Sequence, residues 1–190
     1  MRPKALIFFT VVGLLAALAI YQELEGPGPT LQGSQAPEFE LKNFEGETVR
    51  LSDFRGKLVF LNFWATWCGP CIDELPAMME MKKAFAGRPF EMLGISFDTS
   101  WDEVNSYLDE NGIELSTVLD PAQINRVEFR TTGVPETFLI DGNGMVLKKY
   151  IGPWTWDSPN MIAEVEGYLE RVERTPITDQ DERSGLVTGD

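Results

Sequence analysis

Histidine is absent from this 190-residue chain, and cysteine occurs only twice. Without imidazole there is no Ser-His-Asp triad, no Cys-His nucleophile pair, no His-bearing metal site and no His-ligated haem. Acid–base chemistry is left to carboxylates, lysine, tyrosine or thiols. Basic residues are also scarce: 16 Lys and Arg stand against 30 Asp and Glu, a formal charge of −14. A surface this acidic repels phosphate, so nucleic-acid binding is not expected. Internal repeats are lacking too. What is present is a globular composition, 43% hydrophobic and 11% aromatic, sufficient for one core.

The longest uncharged apolar run is residues 5–21, with Arg2 and Lys4 before it and Glu23 and Glu25 after it. As a helix it would span about 25 Å, enough for a thin bilayer. The positive-inside rule then puts the body of the protein outside the cytoplasm. Residues 1–24 read as a retained membrane anchor. Ala17-Leu18-Ala19 also has the small-x-small form of a signal-peptide cleavage site, so an exported, cleaved protein is the alternative. Residues 25–35, rich in Gly and Pro, read as a flexible linker, and 175–190, polar and aperiodic, as a disordered tail. That leaves 36–174 as a single domain.

Within the domain, two short alternating runs flank Asn43-Phe44-Glu45-Gly46, a hairpin signal. KLVFLNFWA (57–65) and FEMLGISF (90–97) are continuous apolar runs of strand length, as expected for strands covered on both faces. From Cys71 the spacing of Leu75, Met78, Met79 and Phe85 suits a helix with one buried face. Ser100 and Glu103 form a capping box for a second helix that stops at Gly112. STVLD (116–120) reads as a short strand and INRVEF (124–129) as a short helix. A hairpin turns at 141–144, and Ser158 with Pro159 opens a last helix striped by Ile162, Val165, Leu169 and Val172. Strands alternating with helices and ending in a hairpin predict a mixed α/β sheet with helices on both faces.

Both cysteines lie in NFWATWCGPC (62–71), where a strand gives way to a helix. A thiol at a helix start sees unsatisfied N–H groups and the positive end of the macrodipole, which favour thiolate at Cys68. Gly69 and Pro70 fit the first turn, because proline there sacrifices no hydrogen bond. Cys71, one turn on, can attack a mixed disulfide formed by Cys68. A merely structural disulfide would close a loop too short to stabilise much. A structural zinc site needs four ligands, which two cysteines without histidine do not supply. The redox pair is therefore the favoured reading, and no metal or cofactor is expected.

These residues carry a resemblance. LSDFRGKLVFLNFWATWCGPCIDELP (51–76) and GVPETFLIDGNG (133–144) are similar to the membrane-anchored thioredoxin-like thiol–disulfide oxidoreductases of the TlpA/ResA/CcmG(DsbE) family. The resemblance implies a thioredoxin fold with an N-terminal β-hairpin and a central insertion at 113–130. It implies Cys68 as attacking and Cys71 as resolving thiol. Pro135 becomes a cis-proline beside the disulfide, with Val134 offering backbone hydrogen bonds to a substrate strand; an ordinary turn proline is the alternative. Pro76 matches a proline that kinks the active-site helix. Thioredoxin proper has a buried Asp where this chain has Asn62, and the anchored branch has a Glu at the position of Glu74. A partly buried Glu74 with a raised pKa would take the proton as Cys71 attacks; otherwise it is an exposed first-turn acid. Trp67 is expected as an exposed docking surface and Trp64 as core. Trp154 and Trp156 are expected as packing residues, and Glu136 as either an acidic lip or an ordinary strand-edge acid.

The implied function is thiol–disulfide exchange on partner proteins outside the cytoplasmic membrane. Re-reduction would come from a membrane electron donor of the DsbD/CcdA type, and apocytochrome c is the leading substrate. The Gly69-Pro70 pair leans toward reductase. Two rivals remain. A peroxiredoxin-type thiol peroxidase would want its threonine three positions before the cysteine, whereas Thr66 is two before Cys68. A membrane-tethered copper-binding assembly module would use the thiolates as soft ligands.

Overall fold

The computed structural model describes residues 31–175. The expected anchor at 1–24, the start of the linker and nearly all of the tail lie outside the described residues. Among the described residues, no helix is long and apolar enough to cross a membrane.

Seven strands run β1 (Glu40–Lys42), β2 (Thr48–Arg50), β3 (Leu58–Trp64), β4 (Phe90–Ser96), β5 (Ser116–Leu119), β6 (Glu136–Ile140) and β7 (Val146–Ile151). Among the described residues four α-helices accompany them, α1 (Gly69–Ala84), α2 (Trp101–Asn111), α3 (Ile124–Glu128) and α4 (Pro159–Arg174), with a short 3-10 helix at Leu51–Phe54. The strands form one sheet in the order β2-β1-β5-β4-β3-β6-β7. β3 is buried at every position, which is why its sequence is a continuous apolar run rather than an alternating one. It pairs parallel with β4 and antiparallel with β6, placing Phe63 opposite both Ile95 and Glu136. The chain is thus a mixed α/β sheet with flanking helices, the thioredoxin-like architecture.

The predicted 113–130 insertion supplies β5 and α3. β5 lies between β4 and the N-terminal hairpin, to which it is joined through Lys42 opposite Leu119. Just past α3, Phe129 is fully buried and packs its ring 5.2 Å from Phe63 and 5.3 Å from Phe138. That contact brings the segment leading into β6 against the central strand.

Local signals act as their chemistry dictates. Ser100 and Glu103 close a reciprocal capping box, and Gly112 ends α2 in the left-handed region at φ 61°. Four details differ from expectation. α1 turns Met81 rather than Met79 fully inward, since residues 71, 74, 75, 78 and 81 share its core face and Met79 sits at the rim. In α4 the buried stripe begins at Met161, with Ile162 half-buried. Ser158 occupies the N-cap position but makes no side-chain cap bond; its carbonyl accepts from Ile162 N–H. Finally, residues 31–35 are not free linker. Leu31 is buried, and the backbone of residues 33–36 bonds to Val146 and Gly144 beside the β6–β7 turn. One apolar side chain and a strip of edge hydrogen bonds hold a stretch whose composition reads as loop.

Candidate active site

The site grows from the C-terminal end of β3. The connecting residues 65–67 hang on a buried carboxylate: Asp98 accepts the Thr66 N–H at 3.0 Å, the Thr66 hydroxyl at 2.7 Å and the Ser96 hydroxyl at 2.7 Å. Sequence reasoning passed over Asp98. Its signal was an Asp two residues after a strand-end serine, which becomes meaningful only once β4 is seen beside β3.

This loop delivers Cys68 to the N-cap of α1, with Gly69 and Pro70 in the first turn. The Cys71 N–H donates to Cys68 Sγ at 3.3 Å, and the Ile72 N–H to the Cys68 carbonyl at 3.1 Å. The two sulfurs are joined as a disulfide, with Cα atoms 5.3 Å apart. Both cysteines are buried, whereas Trp67 beside them is 65% exposed. Trp67 and Val134 line one groove together with Phe97, Gln123, Arg126 and Gly133. The Val134–Pro135 peptide is cis, and the Pro135 carbonyl accepts from Gly152 N–H at 3.0 Å. Folding therefore brings Trp67, the residue before Cys68, into one groove with Gly133 and Val134, from segments more than sixty residues apart in sequence.

Glu74 is neither an exposed first-turn acid nor merely partly buried: it is 3% exposed. Its Oε1 accepts from Asn62 Nδ2 at 3.1 Å, and its Oε2 from the Trp154 backbone N–H at 3.1 Å and Trp156 Nε1 at 2.9 Å. Burial pushes the Glu74 carboxyl above the ordinary carboxylate range, and the bonds from Trp156, Trp154 and Asn62 pull against that rise. Asn62 also donates to Thr137 Oγ1 at 2.9 Å, so the asparagine and the glutamate belong to one network spanning β3, α1 and β6.

The tryptophans divide differently from expectation. Trp156 is fully buried, edge-on to Phe60 at 4.7 Å and Tyr150 at 5.1 Å, and it is a donor as well as a packing group. Trp154 is substantially exposed and acts on Glu74 through its backbone, with its ring edge-on to Tyr150. Glu136 is neither an acidic lip nor a strand-edge acid. Its side chain is buried and paired with Lys149, a partner that spacing did not disclose. Pro76 lies within α1 on its exposed side. Among the described residues, no group of three or more His, Cys, Asp or Glu side chains is placed to hold a metal.

Residues 32–149 match the AhpC/TSA family. The chain is 30% identical over 177 residues to the thiol-disulfide oxidoreductase ResA of Bacillus thuringiensis (strain Al Hakam), covering 90% of this chain and 99% of that protein. It is 38% identical over 140 residues to ResA of Geobacillus thermodenitrificans, covering 74% and 77% of the two chains. Among solved structures, it resembles a thiol:disulfide interchange protein of the thioredoxin family from Chlorobium tepidum. There the identity is 27%, the TM-score 0.59, and the coverage 74% of this chain and 97% of that one.

Proposed function

This chain belongs to the AhpC/TSA family and is a thioredoxin-fold thiol–disulfide oxidoreductase with Cys68 and Cys71 as its redox pair, and from that premise we propose that it reduces disulfides of partner proteins outside the cytoplasm. The observation that carries the protein-substrate reading is the groove beside the disulfide. Exposed Trp67 lines it together with Val134, just ahead of cis-Pro135. Exposed Ile124 and Val127 lie on the neighbouring α3, and exposed Ile151 stands opposite Glu136 across the sheet. An exposed aromatic in a groove, with exposed apolar side chains on the adjoining helix, suits a polypeptide partner.

In the reduced state Cys68 thiolate, favoured by the α1 N-terminus, attacks a substrate disulfide. One S–S bond breaks, a mixed disulfide forms and the first substrate thiolate leaves. Cys71 then attacks the Cys68 sulfur, expelling the second substrate thiolate and forming the Cys68–Cys71 disulfide, so two electrons pass to substrate. Glu74, one helical turn beyond Cys71 and raised by burial, takes the Cys71 proton in this step. Gly69 and Pro70 keep the first turn open to the approaching sulfur, and Val134 holds the substrate strand.

The oxidised pair must be recharged by a dithiol. A membrane donor of the DsbD/CcdA type, an N-terminal anchor through residues 5–21 and apocytochrome c as substrate form the most coherent setting. That setting is supported by the apolar, positively flanked N-terminus and by the likeness to ResA. Thiol exchange is favoured over peroxide turnover because the Thr66 hydroxyl is committed to Asp98. With its sulfurs bonded to each other, the pair suits redox exchange better than copper retention.

The test is the reduction potential of the pair, read from tryptophan fluorescence in dithiol buffers. A value near thioredoxin's, about −270 mV, fits a reductase; one near DsbA's, about −120 mV, would overturn the direction proposed.

A further inference from the structure

Glu136 and Lys149 form an ion pair, Oε2 to Nζ at 2.7 Å, with side chains 1% and 2% exposed. The sheet explains how they meet. Glu136 opens β6, and Lys149 on β7 stands opposite Phe138, two residues along, so the two side chains are diagonal neighbours on one face. The Lys149 ammonium accordingly lies 5.1 Å from the Phe138 ring centre.

Each member also reaches back into the segment ahead of β6. Glu136 Oε1 accepts the Thr132 N–H at 2.9 Å and the Thr132 hydroxyl. Lys149 Nζ donates to the Arg130 carbonyl at 3.0 Å. The segment is pinned at its far end as well, where the Pro135 carbonyl accepts from Gly152 N–H. Between these ties lie Gly133 and Val134, the residues that face the groove beside Trp67. Stability alone does not account for burying two charges here, because an apolar pair of similar volume is commonly as stable or more so. The distinctive consequence is geometric: the ion pair ties down the backbone ahead of the groove-lining residues, and the Pro135–Gly152 bond ties it down behind them.

We infer that Lys149 and Glu136 are positioning residues, which preset the Val134 backbone to receive an extended polypeptide next to the Cys68–Cys71 disulfide. This rests on the protein-disulfide reading above. Small disulfides need only reach Cys68 and are indifferent to that backbone. Polypeptides need both.

The experiment is single-turnover oxidation of the pre-reduced full chain, followed by tryptophan fluorescence. One oxidant is a small aromatic disulfide, 5,5′-dithiobis(2-nitrobenzoate), and the other is scrambled ribonuclease A. Lys149→Met is expected to raise the half-saturating concentration of the polypeptide about tenfold, with limiting rate and small-disulfide rate within about threefold of wild type. Lys149→Arg, which keeps a cation and its donors, is expected to restore half-saturation to within about threefold. Because Lys149→Met strands a buried carboxylate and can unfold the domain, Glu136→Gln/Lys149→Met is the companion variant, with the same rise expected. Wild-type half-saturation in that double variant, or equal slowing with both oxidants, would overturn the inference alone. A wild-type chain that reacts with the small disulfide but not with the polypeptide would overturn the protein-disulfide reading, and this inference with it.

Discussion

The Trp156 indole N–H and the Glu74 carboxylate meet at 2.9 Å across 82 residues of sequence. The same oxygen takes the Trp154 backbone N–H, so the turn of α1 that follows Cys71 is fastened to the loop between β7 and α4. That loop is thereby tied to the helix that carries both cysteines. A proton gained or lost at Glu74 is felt by both tryptophans.

Replacing Trp156 with Phe keeps most of the apolar packing against Phe60 and Tyr150 but removes the donor. A hydrogen bond to a buried carboxylate is worth about 1.5–3 kcal/mol, and that loss is expected in urea denaturation at neutral pH. The Glu74 carboxyl should titrate higher still, since a contact that lowers its pKa is gone. Carbon-13 NMR of the labelled side chain reads this directly, and an unmoved titration would contradict the assignment.

Glu74 also sets a pH dependence of stability. Its folded pKa is raised above the ordinary 4.5, so folding favours the protonated form. The associated stability is fully present below the unfolded pKa and is lost as pH rises through the folded value. Wild type should therefore lose stability upward from about pH 4.5 relative to Glu74→Gln, whose side chain does not titrate. Parallel urea midpoints for the two proteins between pH 4 and 8 would refute the burial argument.

Trp67→Ala tests the groove. An exposed side chain contributes little to the fold, so stability should stay within about 0.5 kcal/mol of wild type. Reduction of a polypeptide disulfide should slow about tenfold, as for loss of an aromatic anchor, while reaction with a small disulfide is spared. Equal slowing of both would instead place Trp67 in support of Cys68 itself.

Gly94→Ala tests the core under the site. A Cβ there would come within 2.6 Å of Trp64 Nε1 and 3.0 Å of Leu115 Cδ2. Trp64 is fully buried and its ring is rigid, so overpacking of about 1–3 kcal/mol is expected, visible as a lowered thermal midpoint. An unchanged midpoint would mean that the indole has room to move.

Much of this protein was legible before folding because it depends on neighbours in sequence. The period of β3, the capping box of α2, the turn at 141–144 and the placement of two thiols at a strand-to-helix junction all arise from side chains within a few residues of one another. Glu74 was legible as a candidate because the family resemblance implies a Glu at that position, one helical turn from Cys71. Its depth was not, because that depth is made by Asn62, Trp154 and Trp156, which approach only when β3, α1 and the β7–α4 loop pack together. Leu31 read as linker for a similar reason: the segment it opens is held by backbone bonds from residues 33–36 to Gly144 and Val146, more than a hundred residues away.

By itself, the sequence determined the chemistry available: two thiols, no imidazole, and a strand-to-helix junction that puts Cys68 at a helix start. The tertiary structure alone decided which charges are buried and with whom. Lys149 and Glu136 are 13 positions apart and fit no local period, yet the antiparallel pairing of β6 with β7 makes them diagonal neighbours. Local spacing specifies which groups a chain can present. Strand order and register specify which of them lose water together, and that sets their charge state and partners.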